Sequence, residues 1–230
     1  MNDLGFNDIL PDGWRTDGVV SHPLNVAKRM PASGEILWLG KFNIQGAQGV
    51  SGLLRFLRDV GRLKKTPRTG WIEAGIARPE SVADHSFRTA VMSMVLADMH
   101  GLDAEKAMRM ALLHDLPESI TGDLTPRQKA SRGAALRREE EEAVDEMLSN
   151  LPGSLSEKYR SIWAEYREGL SPEARAVIES DRTEMLIQVL EYEDDGADAS
   201  RLRHFWDATI EDPILFELMR PEIRKRGGKG

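Results

Sequence analysis

A helical spacing of apolar residues runs almost without interruption from residue 51 towards the C-terminus. The first such stretch, "SGLLRFLRDVGRLKK", places apolar side chains three and four residues apart, at Leu53, Leu54, Leu57, Val60 and Leu63. A second, "SVADHSFRTAVMSMVLADMHG", ends at Gly101, a residue that commonly stops helices. Because short breaker-containing loops join these stretches and two-residue alternation is rare, the sequence predicts an all-α domain.

Residues that cap helices support this prediction. Asp103 precedes "AEKAMRMALLHD" and is a good N-cap, while Glu105 would place a negative charge in the first turn. Ser171 followed by Pro172 is a strong start signal for the helix "PEARAVIESDRTEMLIQVLEYED". The acidic run at residues 139–142 is expected to form a solvated helix face.

Residues 1–50 differ from the rest of the chain. Segments such as "LPDGW", "SHPL" and "NIQGAQG" are rich in turn and breaker residues, and they show no helical period. We therefore expect a poorly structured N-terminal extension over 1–50, whose role the sequence does not indicate, followed by one helical domain over 51–226.

The composition narrows the classes of function. The chain of 230 residues has no cysteine, so any metal site must use His, Asp and Glu, and thiol chemistry is excluded. A net charge of −7 argues against binding to nucleic acid, although a local Arg or Lys cluster would suffice for a small phosphorylated substrate. The N-terminal segment lacks the pattern of a signal peptide, and no apolar run is long enough to span a membrane. We expect a cytoplasmic protein with no membrane partner.

The stretch "ALLHDLPESITGD" concentrates polar residues directly after an apolar helix. It contains His114, Asp115, Glu118 and Asp123 within ten residues. If the helix continued, His114 and Glu118 would share one face, because they are four residues apart. Taken alone, the His-Asp pair is equally consistent with a surface pair at the C-terminal end of a helix.

Two further residues change that interpretation. His85 lies in the apolar helix "SVADHSFRTAVMSM", where a lone His is usually a packed core residue, and Asp181 lies in "VIESDRTEMLIQV", where an unpaired carboxylate is costly. One divalent ion would satisfy His85, His114, Asp115 and Asp181 together and leave positions open for water and substrate. Either Glu184 or Glu191 could support such a ligand from a neighbouring position.

This donor set suggests phosphoester hydrolysis. The metal would lower the pKa of a water, Glu118 would act as the general base, and an Arg would neutralise the phosphoryl oxygens. Two imidazoles with two carboxylates favour Mn²⁺ or Co²⁺, with Fe²⁺ or Mg²⁺ as further candidates.

The order of these motifs resembles a known family. "RPESVADHS", "HDLPESITGDLTP" and "ESDRTEMLIQVLEYE" are similar to the HD-domain metal-dependent phosphohydrolases, and among them to the small 5′-deoxynucleotidases of the HD-domain-containing protein 2 type. The resemblance covers about residues 51–200 and implies an HD-domain helical bundle. Residues 1–50 have no counterpart in it.

The resemblance also implies roles for individual residues. The metal ligands would be His85, His114, Asp115 and Asp181. Glu118 would lie near the attacking water, Asp123 near the phosphate, and Trp71 in the sugar pocket, where it would help to exclude a 2′-hydroxyl. In bacterial members an Arg directly precedes this Trp, but here Gly70 takes that position. Arg68 and Arg78 are therefore the two candidates for binding the phosphate.

The activity implied is metal-dependent hydrolysis of deoxyribonucleoside 5′-monophosphates to deoxynucleoside and phosphate, by a homodimer. The apolar helices near "SEKYRSIWAEY" and at the C-terminus are candidate dimer faces. One alternative is an HD-domain triphosphohydrolase or pyrophosphatase, which would need more basic residues for the additional phosphates. Another is a non-catalytic nucleotide-binding regulator, which would be free to lose a ligand.

Overall fold

A computed structural model describes residues 46–226, with side chains from residue 51 onwards. Over this range the regular structure is helical, and one isolated antiparallel bridge joins Pro67 to Ser81. The predicted all-α class is therefore confirmed. The helices are α1 Gly46–Val60, α2 Thr69–Glu73, α3 Val82–His100, α4 Ala104–Leu113, α5 Glu118–Thr121, α6 Pro126–Leu148, α7 Gly153–Glu168, α8 Pro172–Asp194, α9 Ala199–Leu202 and α10 Pro213–Lys225. Short 3₁₀ helices follow α1 (Gly61–Lys65) and α9 (Arg203–Asp207).

The helix ends confirm the predicted caps. The Asp103 side chain accepts a hydrogen bond from the Lys106 amide at the start of α4, and the Ser171 side chain accepts one from the Ala174 amide at the start of α8. Gly101 ends α3 with a left-handed backbone, φ 68°. These local signals work because each satisfies backbone groups that the helix itself leaves unpaired.

Helix α1 begins at Gly46, before the apolar period that starts at residue 51. The intervening "GAQGV" segment offers little apolar signal, so the period alone could not locate this start. The rest of the predicted N-terminal extension, residues 1–45, lies outside the described residues.

The centre of the fold is the packing of α3, α4 and α8. Their shared core consists largely of small side chains, which allow the helix backbones to approach closely: Ala90, Ala97, Ala107, Met110, Ala111, Ala174 and Val177. This close approach brings the N-terminal end of α3, the C-terminal end of α4 and the middle of α8 together. None of the helices within residues 46–226 combines the length and the apolarity needed to cross a bilayer.

A second layer packs around this centre. The helices α6 and α7 meet through Met147, Leu148 and Trp163, and α10 packs on α3 and α8 through Leu215 and Met219. The expectation of a wholly solvated acidic face on α6 is wrong at Glu140. Its side chain is buried and forms an ion pair with Arg167 of α7 at 2.5 Å, so an interhelical contact satisfies this charge.

Candidate metal centre

Helices α3 and α8 and the turn after α4 supply the side chains of the predicted metal site. His85 lies in the first turn of α3, where Ser81 and Asp84 form a capping box that fixes the start of the helix. His114 and Asp115 follow the end of α4, and Asp181 lies midway along α8. The packing of α3, α4 and α8 thus brings residues almost a hundred positions apart into one cluster.

The segment after His114 does not continue the helix. α4 ends at Leu113, and the chain turns through short-range bonds, such as Glu118 amide to Asp115 carbonyl at 3.1 Å, before α5 begins at Glu118. Pro117 has no amide hydrogen with which to continue the ladder. The expectation that His114 and Glu118 share a face of one helix is therefore wrong, and a tight turn holds Glu118 close to Asp115 instead.

The donor atoms of the four predicted ligands converge. Nε2 of His85 lies 3.0 Å from Oδ1 of Asp181 and 3.8 Å from Oδ2 of Asp115. Nε2 of His114 lies 3.1 Å from the same Asp115 oxygen. Ligands about 2.1 Å from a common ion lie about 3 Å apart when the angle at the ion is near 90°. The ligand atoms of His85, His114 and Asp181 all lie within 4.8 Å of one another, which fits a single divalent ion, and Asp115 adjoins this group through the two histidines.

The hydrogen bonds of the two histidine rings are also consistent with a metal site. Nδ1 of His114 donates to the Ala111 carbonyl at 2.5 Å, and Nδ1 of His85 contacts Oε2 of Glu184. Although burial lowers it, hydrogen bonds to Asp181 and Glu184 raise the pKa of His85 to about 10, so without an ion its Nε2 carries a proton towards Asp181. In the neutral form that binds a metal, the proton of each ring would stay on Nδ1 and the lone pair on Nε2 would face the cluster. Both Nε2 atoms are buried and have no hydrogen-bond partner within residues 46–226. Buried nitrogens left in this state fit the demands of a metal ligand.

The electrostatics of the cluster keep the two aspartates ionised. Burial would raise the pKa of Asp115, but His114, Lys129 and Arg68 outweigh it and hold this pKa well below the usual range. Burial also opposes ionisation of Asp181, yet its contact with His85 lowers the pKa to about 2. Both carboxylates are thus in the charged form that binds a cation.

Glu118 lies beside the cluster with one oxygen engaged and one free. Its Oε1 accepts from Nζ of Lys129 at 2.9 Å, whereas the buried Oε2 has no hydrogen-bond partner in the described part of the chain. Burial and the neighbouring Asp115 raise the pKa of Glu118 well above its ordinary value, and Lys129 opposes this. A buried carboxylate with a raised pKa is suited to accept a proton.

Arg68 bridges the cluster and Asp123. Its Nη1 lies 3.5 Å from Oδ2 of Asp115 and 3.6 Å from Oδ1 of Asp123. The Thr69 amide and hydroxyl fix Asp123 in turn, and the Arg68 amide donates to the Glu80 carbonyl beside the start of α3. Arg78, by contrast, is exposed and makes no hydrogen bond or ion pair with any described residue. Of the two candidate arginines, the structure brings only Arg68 to the cluster.

The Trp71 side chain is buried more deeply than expected for a residue that lines an open pocket. Only 1% of it is exposed, and its ring packs against Tyr192 and Phe205, with centroids 5.2 and 4.2 Å away. Its Nε1 donates to Oε1 of Glu80 at 2.9 Å. The indole is therefore a rigid, fully packed element next to the site.

Two residues at the site were not singled out by the sequence, and a third was left as one of two candidates. Lys129 reaches Glu118 from α6, and Tyr166 places its ring edge-on to His114 with centroids 5.5 Å apart. Glu184, one of two acids left open by the sequence, supports His85, whereas Glu191 is half-exposed and pairs with Arg88. No local pattern distinguishes these residues, because each acts across a helix interface.

Comparison with known proteins places this arrangement in a family. The model of the HD domain family matches residues 60–212, which include all four converging side chains. The chain therefore belongs to the HD domain family.

Among similar proteins, the 5′-deoxynucleotidase HDDC2 of Bos taurus is 43% identical over 162 residues, covering 70% of this chain and 78% of that protein. The Homo sapiens protein of the same name is 43% identical over 161 residues, with coverage of 70% and 78%. A conserved hypothetical protein of Pyrococcus furiosus has a similar structure, with a TM-score of 0.61 and 32% identity. It aligns over 75% of this chain and 99% of its own.

Proposed function

We propose that this chain is a metal-dependent phosphomonoesterase that hydrolyses deoxyribonucleoside 5′-monophosphates to deoxynucleoside and phosphate. The observation that carries this proposal is the convergence of the Nε2 atoms of His85 and His114 with Asp115 and Asp181, beside the free oxygen of Glu118. The similar proteins named 5′-deoxynucleotidase supply the class of substrate.

His85, His114, Asp115 and Asp181 would hold the ion, which when bound supplies Lewis-acid charge to the phosphoryl group and lowers the pKa of water. The absence of cysteine and the mixed nitrogen and oxygen donors favour Mn²⁺ or Co²⁺, with Fe²⁺ or Mg²⁺ as further candidates.

Side chains of the protein carry out proton transfer, phosphate binding and sugar selection. Glu118 takes a proton from the attacking water through its free Oε2, while Lys129 holds Oε1 in place. Arg68 turns from Asp115 and Asp123 towards the phosphoryl oxygens, where its planar fork matches two of them. The resemblance assigns Trp71 to the sugar pocket, where its tightly packed indole would exclude a 2′-hydroxyl.

The test is phosphate release from deoxy- and ribonucleoside 5′-monophosphates, and from the corresponding triphosphates, with Mn²⁺, Co²⁺, Mg²⁺ or a chelator. We expect metal-dependent release from the deoxynucleoside monophosphates, lost in Asp115→Ala and kept in Asp98→Ala, whose Asp is exposed on α3. Glu118→Gln should retain the metal and lose about 10²- to 10⁴-fold in kcat. Activity on triphosphates alone would favour a triphosphohydrolase, and bound metal without any activity would favour a regulator.

We also propose a homodimer. The supporting surface is on α3, where Phe87, Val91, Val95 and Met99 recur every four residues and are 69%, 42%, 47% and 60% exposed. The candidate helix α7 instead turns Trp163 into the core. A stripe of this kind is typical of a helix that packs against a partner.

A mass measurement in solution tests the dimer. We expect twice the 25.8 kDa of one chain, falling to one chain in Val91→Asp but not in Leu170→Asp, which alters an exposed Leu elsewhere. A monomeric wild type at all concentrations would rule the dimer out. The cytoplasmic location stays a prediction.

A further inference from the structure

Arg88 is a partly buried arginine of α3 to which the proposed reaction assigns no role. It follows His85 by three residues, so the two side chains leave the helix on the same face. Its guanidinium reaches three side chains of α8: Nε lies 2.9 Å from Oε1 of Glu184, Nη2 lies 2.7 Å from Oε1 of Gln188, and Nη1 lies 2.6 Å from Oε1 of Glu191. All three nitrogens are thus bound by α8, and the orientation of the guanidinium is fixed.

Glu184 is the partner that connects Arg88 to the metal centre. Its Oε2 contacts Nδ1 of His85, whereas its Oε1 accepts a hydrogen bond from Nε of Arg88. The side chain of Glu184 is 0% exposed, so water cannot replace a partner that is lost, and a buried carboxylate without partners is costly. Arg88 therefore fixes the carboxylate oxygen that does not contact His85.

The imidazole of His85 contacts α8 through both of its ring nitrogens. Nε2 lies 3.0 Å from Oδ1 of Asp181 on the side of the metal ligands, and Nδ1 contacts Glu184 on the opposite side. The direction of Nε2 thus depends on where Glu184 holds Nδ1. A rotation of the Glu184 carboxylate would turn or release the imidazole, and the contact with Arg88 opposes that rotation.

We propose that Arg88 is a positioning residue of the metal centre. By holding Oε1 of Glu184, it keeps Oε2 against Nδ1 of His85 and so orients Nε2 towards the ion. The inference rests on the metal centre of the proposed function and adds a residue that touches neither the ion nor the substrate. A lysine would not replace Arg88 fully, because an ammonium group is a point charge and lacks the planar fork that contacts three partners.

The test measures Mn²⁺ affinity by calorimetric titration of the metal-free protein. Arg88→Gln should weaken binding by about 10-fold, the lower end of the effect seen when a residue that supports a ligating histidine is changed. Arg88→Lys should weaken it by less, because the ammonium can keep one contact with Glu184 and preserves the positive charge. An order of affinity from wild type through Arg88→Lys to Arg88→Gln is the expected result.

Arg167→Gln is the matched control for the loss of an interhelical ion pair. Arg167 of α7 also pairs with a buried glutamate of another helix, Glu140 of α6. Neither residue forms a hydrogen bond or ion pair with the four proposed ligands, all of which lie within the described range. Arg88→Gln and Arg167→Gln should both lower the Tm of the metal-free protein, whereas only Arg88→Gln should lower the Mn²⁺ affinity.

A double variant shows whether Arg88 acts through Glu184. Arg88→Gln combined with Glu184→Gln should bind Mn²⁺ about as weakly as Glu184→Gln alone, because Arg88 then has no carboxylate to position. Additive losses of affinity would show that Arg88 acts independently of Glu184 and would overturn the inference. An unchanged affinity in Arg88→Gln, with a Tm lowered as in Arg167→Gln, would overturn it as well, because Arg88 would then only join two helices.

The inference and the proposed function can fail separately. If the wild type binds Mn²⁺ but releases no phosphate from any deoxynucleoside monophosphate, the proposed function fails, and a weaker affinity in Arg88→Gln still supports the role of Arg88. A wild type that binds neither Mn²⁺ nor Co²⁺ overturns both.

Discussion

Each histidine of the site makes a contact through Nδ1, and in the neutral ring this contact would leave the lone pair on Nε2 for the metal. For His114 the partner is a backbone carbonyl one turn earlier, which depends on local helix geometry. For His85 it is Glu184, a fully buried carboxylate contributed by α8 and also bonded to Arg88. Because such partners fix the ring and raise its basicity, Glu184 should influence metal affinity without touching the ion.

The contact between Glu184 and His85 can be tested by comparing Glu184 with Glu191, because both acids form ion pairs with Arg88. Glu184→Gln should weaken metal binding by about 10- to 100-fold, because the neutral amide no longer increases the basicity of His85. Glu191→Gln is the control: Glu191 also pairs with Arg88, at 2.6 Å, but has no contact with His85. Calorimetric titration of the metal-free protein with Mn²⁺ measures both affinities. Equal affinities in the two variants would contradict the role of Glu184.

At the scale of the helices, the site depends on where each element ends. Gly101 stops α3 and lets the chain turn into α4, so that these helices pack side by side. Gly52 shows a different requirement, since a Cβ on this residue of α1 would lie 2.4 Å from the Asn150 carbonyl oxygen in the loop after α6. Gly101 is required for its positive φ, and Gly52 is required because the loop after α6 approaches its backbone closely. Both glycines thus allow the neighbouring helices to pack as they do.

The turn at Gly101 can be tested against a glycine without that constraint. Gly101→Ala should destabilise the protein by about 1–2 kcal/mol, because an L-residue is disfavoured at φ +68°, although open space surrounds the position. Gly61→Ala also meets open space and has no positive φ, so it should not destabilise the protein. Thermal unfolding of the two variants measures the difference. Equal losses of stability would show that the backbone conformation at Gly101 is not the cause.

For the whole molecule, the predicted ligands connect three helices that are distant in the chain. An ion bound by α3, by the turn after α4 and by α8 would stabilise the folded state alone, since the unfolded chain does not assemble the site. Metal content should therefore affect global stability as well as activity.

We expect saturating Mn²⁺ to stabilise the protein by about 2.7 kcal/mol at a concentration 100 times its Kd, and a chelator to remove this gain. For a chain of this size that corresponds to a rise in Tm of several degrees. Asp181→Asn should lose most of the increment, whereas Asp98→Asn, at an exposed position of α3, should keep it. Differential scanning calorimetry with and without metal provides the measurement, and an increment retained in Asp181→Asn would contradict the site.

The sequence by itself determined the class of fold and the identity of the converging residues. Helical periodicity and local caps at Asp103 and Ser171 depend on neighbouring residues, so they can be read directly from the chain. His114 and Asp115 were recognisable as a motif, and the isolated His85 and Asp181 as polar residues in apolar helices.

Tertiary structure decided which contacts these residues make. Glu184 supports His85, Lys129 holds Glu118, and Glu80 faces Trp71 because separate elements pack together. The choice of Arg68 over Arg78 likewise depends on a backbone bridge between the loop before α2 and the start of α3. Such contacts join residues remote in sequence, and the local spacing that reveals a helix does not encode which helix will lie beside it.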